Sequence, residues 1–176
     1  KGKVALVTGG AQGIGSSITK NLLNEGATVI ATSRSKAALA ELREENKSSD
    51  SKLFTIQTEL TEDDSLQELA EEIRINGLHV DILINNAGHT LNVTNPWCSI
   101  SDWRDVFRLN FEVPVQLINL FLPEMKDKGW GRIVNITSCA GLENSGPVTF
   151  STVKAALTAY TRSTGRVLAM EAPGGV

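Results

Sequence analysis

Lys154 and Phe150 stand four residues apart in the stretch VTFSTVKAAL. On a helix that spacing makes surface neighbours, roughly 5–6 Å apart at Cβ. A lysine ammonium beside a phenol would form an acid–base pair, because the positive charge lowers the phenol's pKa. Beside a phenyl ring it has no neighbour with a proton to give or take. The chain therefore poses a question of chemistry at one atom, the oxygen that Phe150 lacks.

A second pattern points to a ligand. TGGAQGIG, Thr8 to Gly15, spaces Gly9, Gly13 and Gly15 as G-x-x-x-G-x-G. Glycines so placed between a strand and a helix give a tight turn, let backbone approach a pyrophosphate, and pack helix on strand. The helix that follows turns its N–H groups and positive dipole end towards the phosphates. A strand before and a helix after are both legible, which raises the pattern above a plain turn. Ser33 and Arg34 end the second apolar run, and no carboxylate stands there. An acidic residue would bind a ribose 2′-OH, whereas arginine pairs with a 2′-phosphate, so NADP(H) is expected over NAD(H).

The elements that must position these residues alternate. KVALVTGG, ATVIATS, KLFTIQTEL, HVDILINNAG and GRIVNITS read as five short strands. IGSSITKNLLNEG, SKAALAELREENK and TEDDSLQELAEEIRING read as helices, the last with a Thr61–x–x–Asp64 start and a glycine stop. Ser99 to Lys128 is expected to be helical for most of its length, with Pro114 marking a break and Pro123 an end. Pro147 to about Met170 reads as one long helix opening at a proline. Near-continuous apolar strands alternating with helices predict an α/β, Rossmann-type doubly wound parallel sheet in three αβα layers. A strand order 3-2-1-4-5-6 would lack its last strand in a single domain over residues 1–176, so the chain is expected to be incomplete at its C-terminus.

Composition narrows the function classes without choosing one. A net charge of −3 and no basic block argue against nucleic acid as a partner. No apolar run reaches the roughly 18–20 residues of a membrane span, so no membrane role and a cytoplasmic location are expected. Cys98 and Cys139 are too few for a disulfide framework or zinc site, and no metal is expected. His79 and His89 read as solvated loop histidines. G-x-S-x-G is absent around Ser138, which argues against a hydrolase. Trp97, Trp103 and Trp130 read as packing or surface anchors at loop–helix junctions.

The glycine loop, NNAG at Asn85–Gly88, Asn110 in RLNFEVP, Ser138 in IVNITSCAG and Lys154 in FSTVK occur together and in order. With this set the chain resembles the short-chain dehydrogenase/reductase family, in motif style close to 3-oxoacyl-carrier-protein reductases. The resemblance implies an NAD(P)-dependent oxidoreductase acting on a small-molecule carbonyl or secondary alcohol. It implies cofactor contacts from Gly9, Gln12, Gly13, Ile14, Gly15, Ser33, Arg34, Glu59, Leu60, Asn86, Ala87, Gly88 and Lys154. Glu59 replaces the family's usual aspartate at an adenine contact. By the same resemblance Ser138 bonds the substrate oxygen, Asn110 holds a relay water, and Lys154 binds the nicotinamide ribose. A homodimer or homotetramer through the two long helices is implied as well, as is a substrate-pocket wall from His89 to Ser99.

The family's catalytic pattern is Y-x-x-x-K, and here Phe150 fills the tyrosine position. Hydride transfer to a ketone builds negative charge on oxygen, and losing a positioned general acid typically costs about 10²–10⁴-fold. Tyr160 lies ten positions along the helix, or roughly 15 Å at 1.5 Å per residue. Thr149 and Ser151 leave the helix about 100° from Phe150. Three readings stay open: a reductase whose tyrosine was replaced deliberately to trap a complex, a natural non-catalytic dinucleotide-binding subunit, and a reductase working through Ser138 and a relay water.

Overall fold

A computed structural model of the chain describes residues 2–47, 52–171 and 175–176. The expectation that concerns the end of the chain falls, for residues 172–174, outside them. Five strands are present, β1 (Val4–Val7), β2 (Thr28–Ser33), β3 (Leu53–Gln57), β4 (Ile82–Asn85) and β5 (Arg132–Asn135). All pair in parallel in the order β3-β2-β1-β4-β5. Helices α1 (Gly13–Asn24), α2 (Lys36–Glu45) and α3 (Ser65–Ile75) link the first four strands. Between β4 and β5 run α4 (Ile100–Phe107) and α5 (Val113–Asp127). Beyond β5 come a single turn, α6 (Ala140–Glu143), and the long α7 (Val148–Glu171).

The apolar strands explain the layering. Successive side chains on a strand point to opposite faces, so an unbroken apolar run requires cover on both sides. Leu6, Ile30 and Leu83 face one core with Leu69 and Ile73 of α3 and Leu117 and Phe121 of α5. Their neighbours Val7, Val29 and Ile84 face the other, with Leu23 of α1 and Leu39 and Leu42 of α2. β5 is the outer strand on its side, and its Val134 is 43% exposed.

Three local expectations are corrected. The Thr61–x–x–Asp64 capping box does not form. Thr61 Oγ1 bonds Glu59 Oε1 at 2.9 Å instead, and Asp64 caps α3 from a left-handed backbone with no side-chain bond. Pro123 does not end its helix, because α5 runs through it to Asp127 with Phe121 and Met125 buried on either side. That burial outweighs the one backbone bond a mid-helix proline removes. The break expected at Pro114 takes the form of a π-helical turn over Arg108–Glu112, in which Val113 N donates to Arg108 O. Asn110 sits in that turn, buried, with Pro114 four residues on. Proline has no N–H, so the carbonyl of Asn110 loses its regular i+4 donor. The turn α6 was not anticipated.

Candidate active site

At the C-terminal ends of β1 and β4 the strand order reverses direction, the place where open α/β sheets bind ligands. An open cleft of about 820 Å³ lies there. Gly9, Gln12, Ile14 and Gly15 form one wall. Ser33 and Arg34 come from the end of β2, and Glu59 and Leu60 follow β3. Asn86, Ala87 and Gly88 follow β4, and Ser138, Phe150 and Lys154 close the far end. Of the residues predicted for the site, Gly13 and Asn110 do not line the cleft.

Gly13 supplies backbone shape, with φ +53° at the start of α1. Gly15 supplies space, since a Cβ there would sit 2.0 Å from Gly9 O. The loop is then locked to β4 through Thr8, which is buried. Thr8 Oγ1 accepts from Asn86 N and Ala87 N, both at 3.0 Å, and Asn86 Nδ2 donates back to Thr8 O at 3.0 Å. At the N-terminus of α1 no acidic side chain and no side-chain cap occupies the first turn. Its N–H groups and dipole end are left for an anion in the cleft. This loop fits a diphosphate group by shape and by charge.

The other end is built around α7. Asn85 Nδ2 donates to Asn135 Oδ1 at 2.8 Å, and Asn135 Nδ2 donates to Thr161 Oγ1 at 2.9 Å, tying β4, β5 and α7 together. Lys154, on the same helix, is 3% exposed. Its Nζ donates to Ile136 O at 2.9 Å. Burial lowers its pKa from 10.5 to about 8, because desolvation disfavours the ammonium. Asn110 Oδ1 and Lys154 Nζ meet over Gly88, where a Cβ would lie 2.7 Å and 2.9 Å from them. The Asn110 amide is fully committed, donating to His89 O and Val106 O at 2.8 and 2.9 Å. Its side-chain oxygen accepts from His89 N at 3.2 Å.

The ring of Phe150 stands 5.6 Å from Lys154 Nζ. Ser138 Oγ accepts from Ala140 N at 3.2 Å, which leaves its own proton free to donate. Thr149 and Ser151 turn into the protein, buried, and neither lines the cleft. Tyr160 packs edge-on against Phe111 at 5.7 Å, away from the cleft. The phenol has no replacement among them.

Sequence reasoning missed Asp105, Arg108 and Leu109, which line the cleft from α4 and the π turn. Their 0, +3, +4 spacing marks one helix face, but two charges on it read as solvated. Of the wall expected from His89 to Ser99, only His89 and Leu91 reach the cleft. His79 pairs with Glu124 at 2.5 Å on the surface. Trp103 lies within α4, and Trp130 stacks under Lys3 Nζ at 3.7 Å. Trp97 is 89% exposed. Neither Cys98 nor Cys139 is buried.

Residues 3–172 match the family model described as short chain dehydrogenase. The chain is 37% identical over 174 residues to a 3-oxoacyl-[acyl-carrier-protein] reductase of Aquifex aeolicus, covering 96% of this chain and 69% of that protein. A short-chain dehydrogenase from Streptomyces avermitilis superposes with a TM-score of 0.84 at 30% identity, covering 96% of this chain and 62% of that one. L-sorbose reductase from Gluconobacter frateurii, solved with NADPH and L-sorbose, superposes with a TM-score of 0.88 at 25% identity, covering 96% and 65%. The chain thus spans about two thirds of the length of these relatives.

Proposed function

Because the chain belongs to the short chain dehydrogenase family of NAD(P)-dependent oxidoreductases, we propose that it binds NADP(H) along the cleft for hydride exchange with a carbonyl or secondary alcohol. The single observation that supports this best is the joined geometry of the uncapped glycine loop and the buried amine of Lys154, which face one cleft from opposite ends. When bound, reduced nicotinamide supplies the hydride. Gly9 to Gly15 hold the diphosphate, and Arg34 meets the ribose-phosphate end. Asn86, Ala87 and Gly88 border the middle of the dinucleotide, and Leu60 backs the adenine. Lys154 holds the nicotinamide ribose, and Ser138 donates its free proton as a hydrogen bond to the substrate oxygen. The Asn110 carbonyl is the seat for a relay water.

Phe150 places a phenyl where the developing alkoxide needs a proton, so turnover is impaired while binding persists. The 3-oxoacyl relative of Aquifex aeolicus suggests 3-oxoacyl thioesters as the first carbonyl compounds to assay. The same Phe150 also favours a second reading, a dinucleotide-binding subunit with a regulatory or structural role. Self-association through α4, α5 and α7 accompanies either reading, with Ile100, Val167 and Met170 exposed on those helices.

Restoring the hydroxyl separates the readings. Phe150→Tyr should convert a slow or silent protein into a carbonyl-dependent NADPH oxidase if the first holds. No gain, with coenzyme binding intact, would favour the non-catalytic subunit. Brisk turnover of the parent that Ser138→Ala abolishes would favour chemistry through Ser138 instead.

A further inference from the structure

Arg34, the cation expected to meet a 2′-phosphate, already has an anionic partner. Its Nη1 lies 3.9 Å from Glu59 Oε2, and both residues line the cleft. The two differ in how firmly they are held. The Glu59 side chain is 34% exposed and the Arg34 side chain 72%. Glu59 Oε1 accepts from Thr61 Oγ1 at 2.9 Å and from Thr61 N at 3.4 Å, which leaves Oε2 directed at the guanidinium. The backbone fixes this meeting. Thr58 N donates to Ser33 O at 3.1 Å, and Gln57 Nε2 donates to Arg34 O at 3.1 Å, so the ends of β2 and β3 stay in register. The acid is the anchored partner and the arginine the more exposed one.

We propose that Glu59 sets the coenzyme preference of the cleft by holding Arg34. This deepens the dinucleotide reading above and rests on it. The opposite charges of the pair offset each other at the ribose end. A 2′-phosphate must draw the guanidinium from its carboxylate and then lie near that fixed negative charge. A 2′-hydroxyl carries no charge and meets neither penalty. Arg34 therefore discriminates less sharply than an unpaired arginine would, and the residue that tunes the discrimination is Glu59.

The test is equilibrium binding, which needs no turnover. Dissociation constants for NADPH and NADH are measured calorimetrically for the parent and for Glu59→Gln, which retains the acceptor for Thr61 but removes the charge. The ratio of the NADH to the NADPH dissociation constant should rise about three- to fivefold in Glu59→Gln, the worth of an exposed ion pair, because any change at the adenine that both coenzymes share cancels in that ratio. The gain should shrink in 1 M salt, where the screening length is about 3 Å. Thr61→Val, which frees the Glu59 carboxylate from its anchor, should move the ratio the same way by a smaller factor. Coenzyme binding with an unchanged NADPH-to-NADH ratio in both variants overturns this inference alone. Failure of the parent to bind either coenzyme overturns the dinucleotide reading, and this inference with it.

Discussion

At the nucleotide end of the cleft, Thr8, Gly9 and Asn86 interlock through bonds that each join the Thr8 hydroxyl or the Asn86 amide to a main-chain atom, and the first turn of α1 is left open to an anion. At the reaction end, Ser138, Phe150 and Lys154 offer side chains to the cleft, and one of those three has no exchangeable proton. The first end depends on backbone shape, set by the glycines and held by the Thr8 and Asn86 side chains. The second depends on single atoms, and one absent oxygen removes its acid. On the proposed reading, binding and chemistry divide between the two ends, with Lys154 serving both.

The largest effect should come from completing the reaction end. Phe150→Tyr places a phenol beside an ammonium that already stands 5.6 Å from the ring, and the charge lowers the phenol's pKa towards the working range. Steady-state kinetics should show kcat rising about 10²–10⁴-fold, while the coenzyme dissociation constant changes less than about twofold. Equal changes in both constants would break the separation between the two ends.

The reverse perturbation strikes binding. Gly15→Ala drives a Cβ to 2.0 Å from Gly9 O and 2.6 Å from Asn86 Nδ2, so the loop must move off the latch that Thr8 and Asn86 form. Local rearrangement of this kind costs on the order of 2–3 kcal/mol, or roughly 30- to 150-fold in coenzyme affinity. In a Phe150→Tyr background kcat at saturating coenzyme should be retained. Titration calorimetry paired with saturation kinetics reads both quantities.

The two ends also differ in how legible they were. The glycine loop and the strands follow from local patterns, because a phosphate-binding turn is contiguous in sequence and an apolar strand declares its own burial, whereas the strand order rests on the doubly wound topology and the role of Lys154 on the family resemblance. What escaped depends on partners far along the chain. Thr61 looked like a helix cap, but its hydroxyl is taken by Glu59 and α3 starts at Ser65. Pro123 looked like a helix end, but Phe121 and Met125 are buried on either side of it and carry α5 onwards. Asn110 was identified by motif, yet no local pattern shows that its amide is consumed by His89 and Val106. The Arg34–Glu59 pair joins two strands 25 residues apart in number, and periodicity within either strand carries no trace of it.

Lys154 sharpens the comparison through pH. Its pKa falls from 10.5 to about 8 on folding because the folded state buries the ammonium. Below about pH 8 both states are protonated and the full desolvation cost weighs on the fold. Between about 8 and 10.5 the folded protein sheds this proton first, the unfolded chain binds more protons, and stability rises with pH. The cost is on the order of 1–3 kcal/mol. Urea unfolding of the parent and of Lys154→Met at pH 7 and pH 10 should show the parent gaining about that much relative to the variant. A parallel pH dependence in the two proteins would mean that Lys154 is hydrated and that the reaction end is looser than its burial indicates.

The smallest effect tests whether the reaction end has a private support. Thr161 Oγ1 donates to Leu157 O at 2.7 Å and accepts from Asn135 Nδ2, which carries the chain of amides from β4 through β5 into α7. Thr161→Val keeps the shape of the side chain and removes that acceptor, so about 1 kcal/mol of stability should be lost. If the ladder holds α7 alone, hydrogen exchange should quicken in β5 and in α7 around Lys154 and stay unchanged in α1 and the glycine loop. Faster exchange at both ends would show that α7 and the loop move as one unit, and the independence of binding from chemistry would then fail at its structural root.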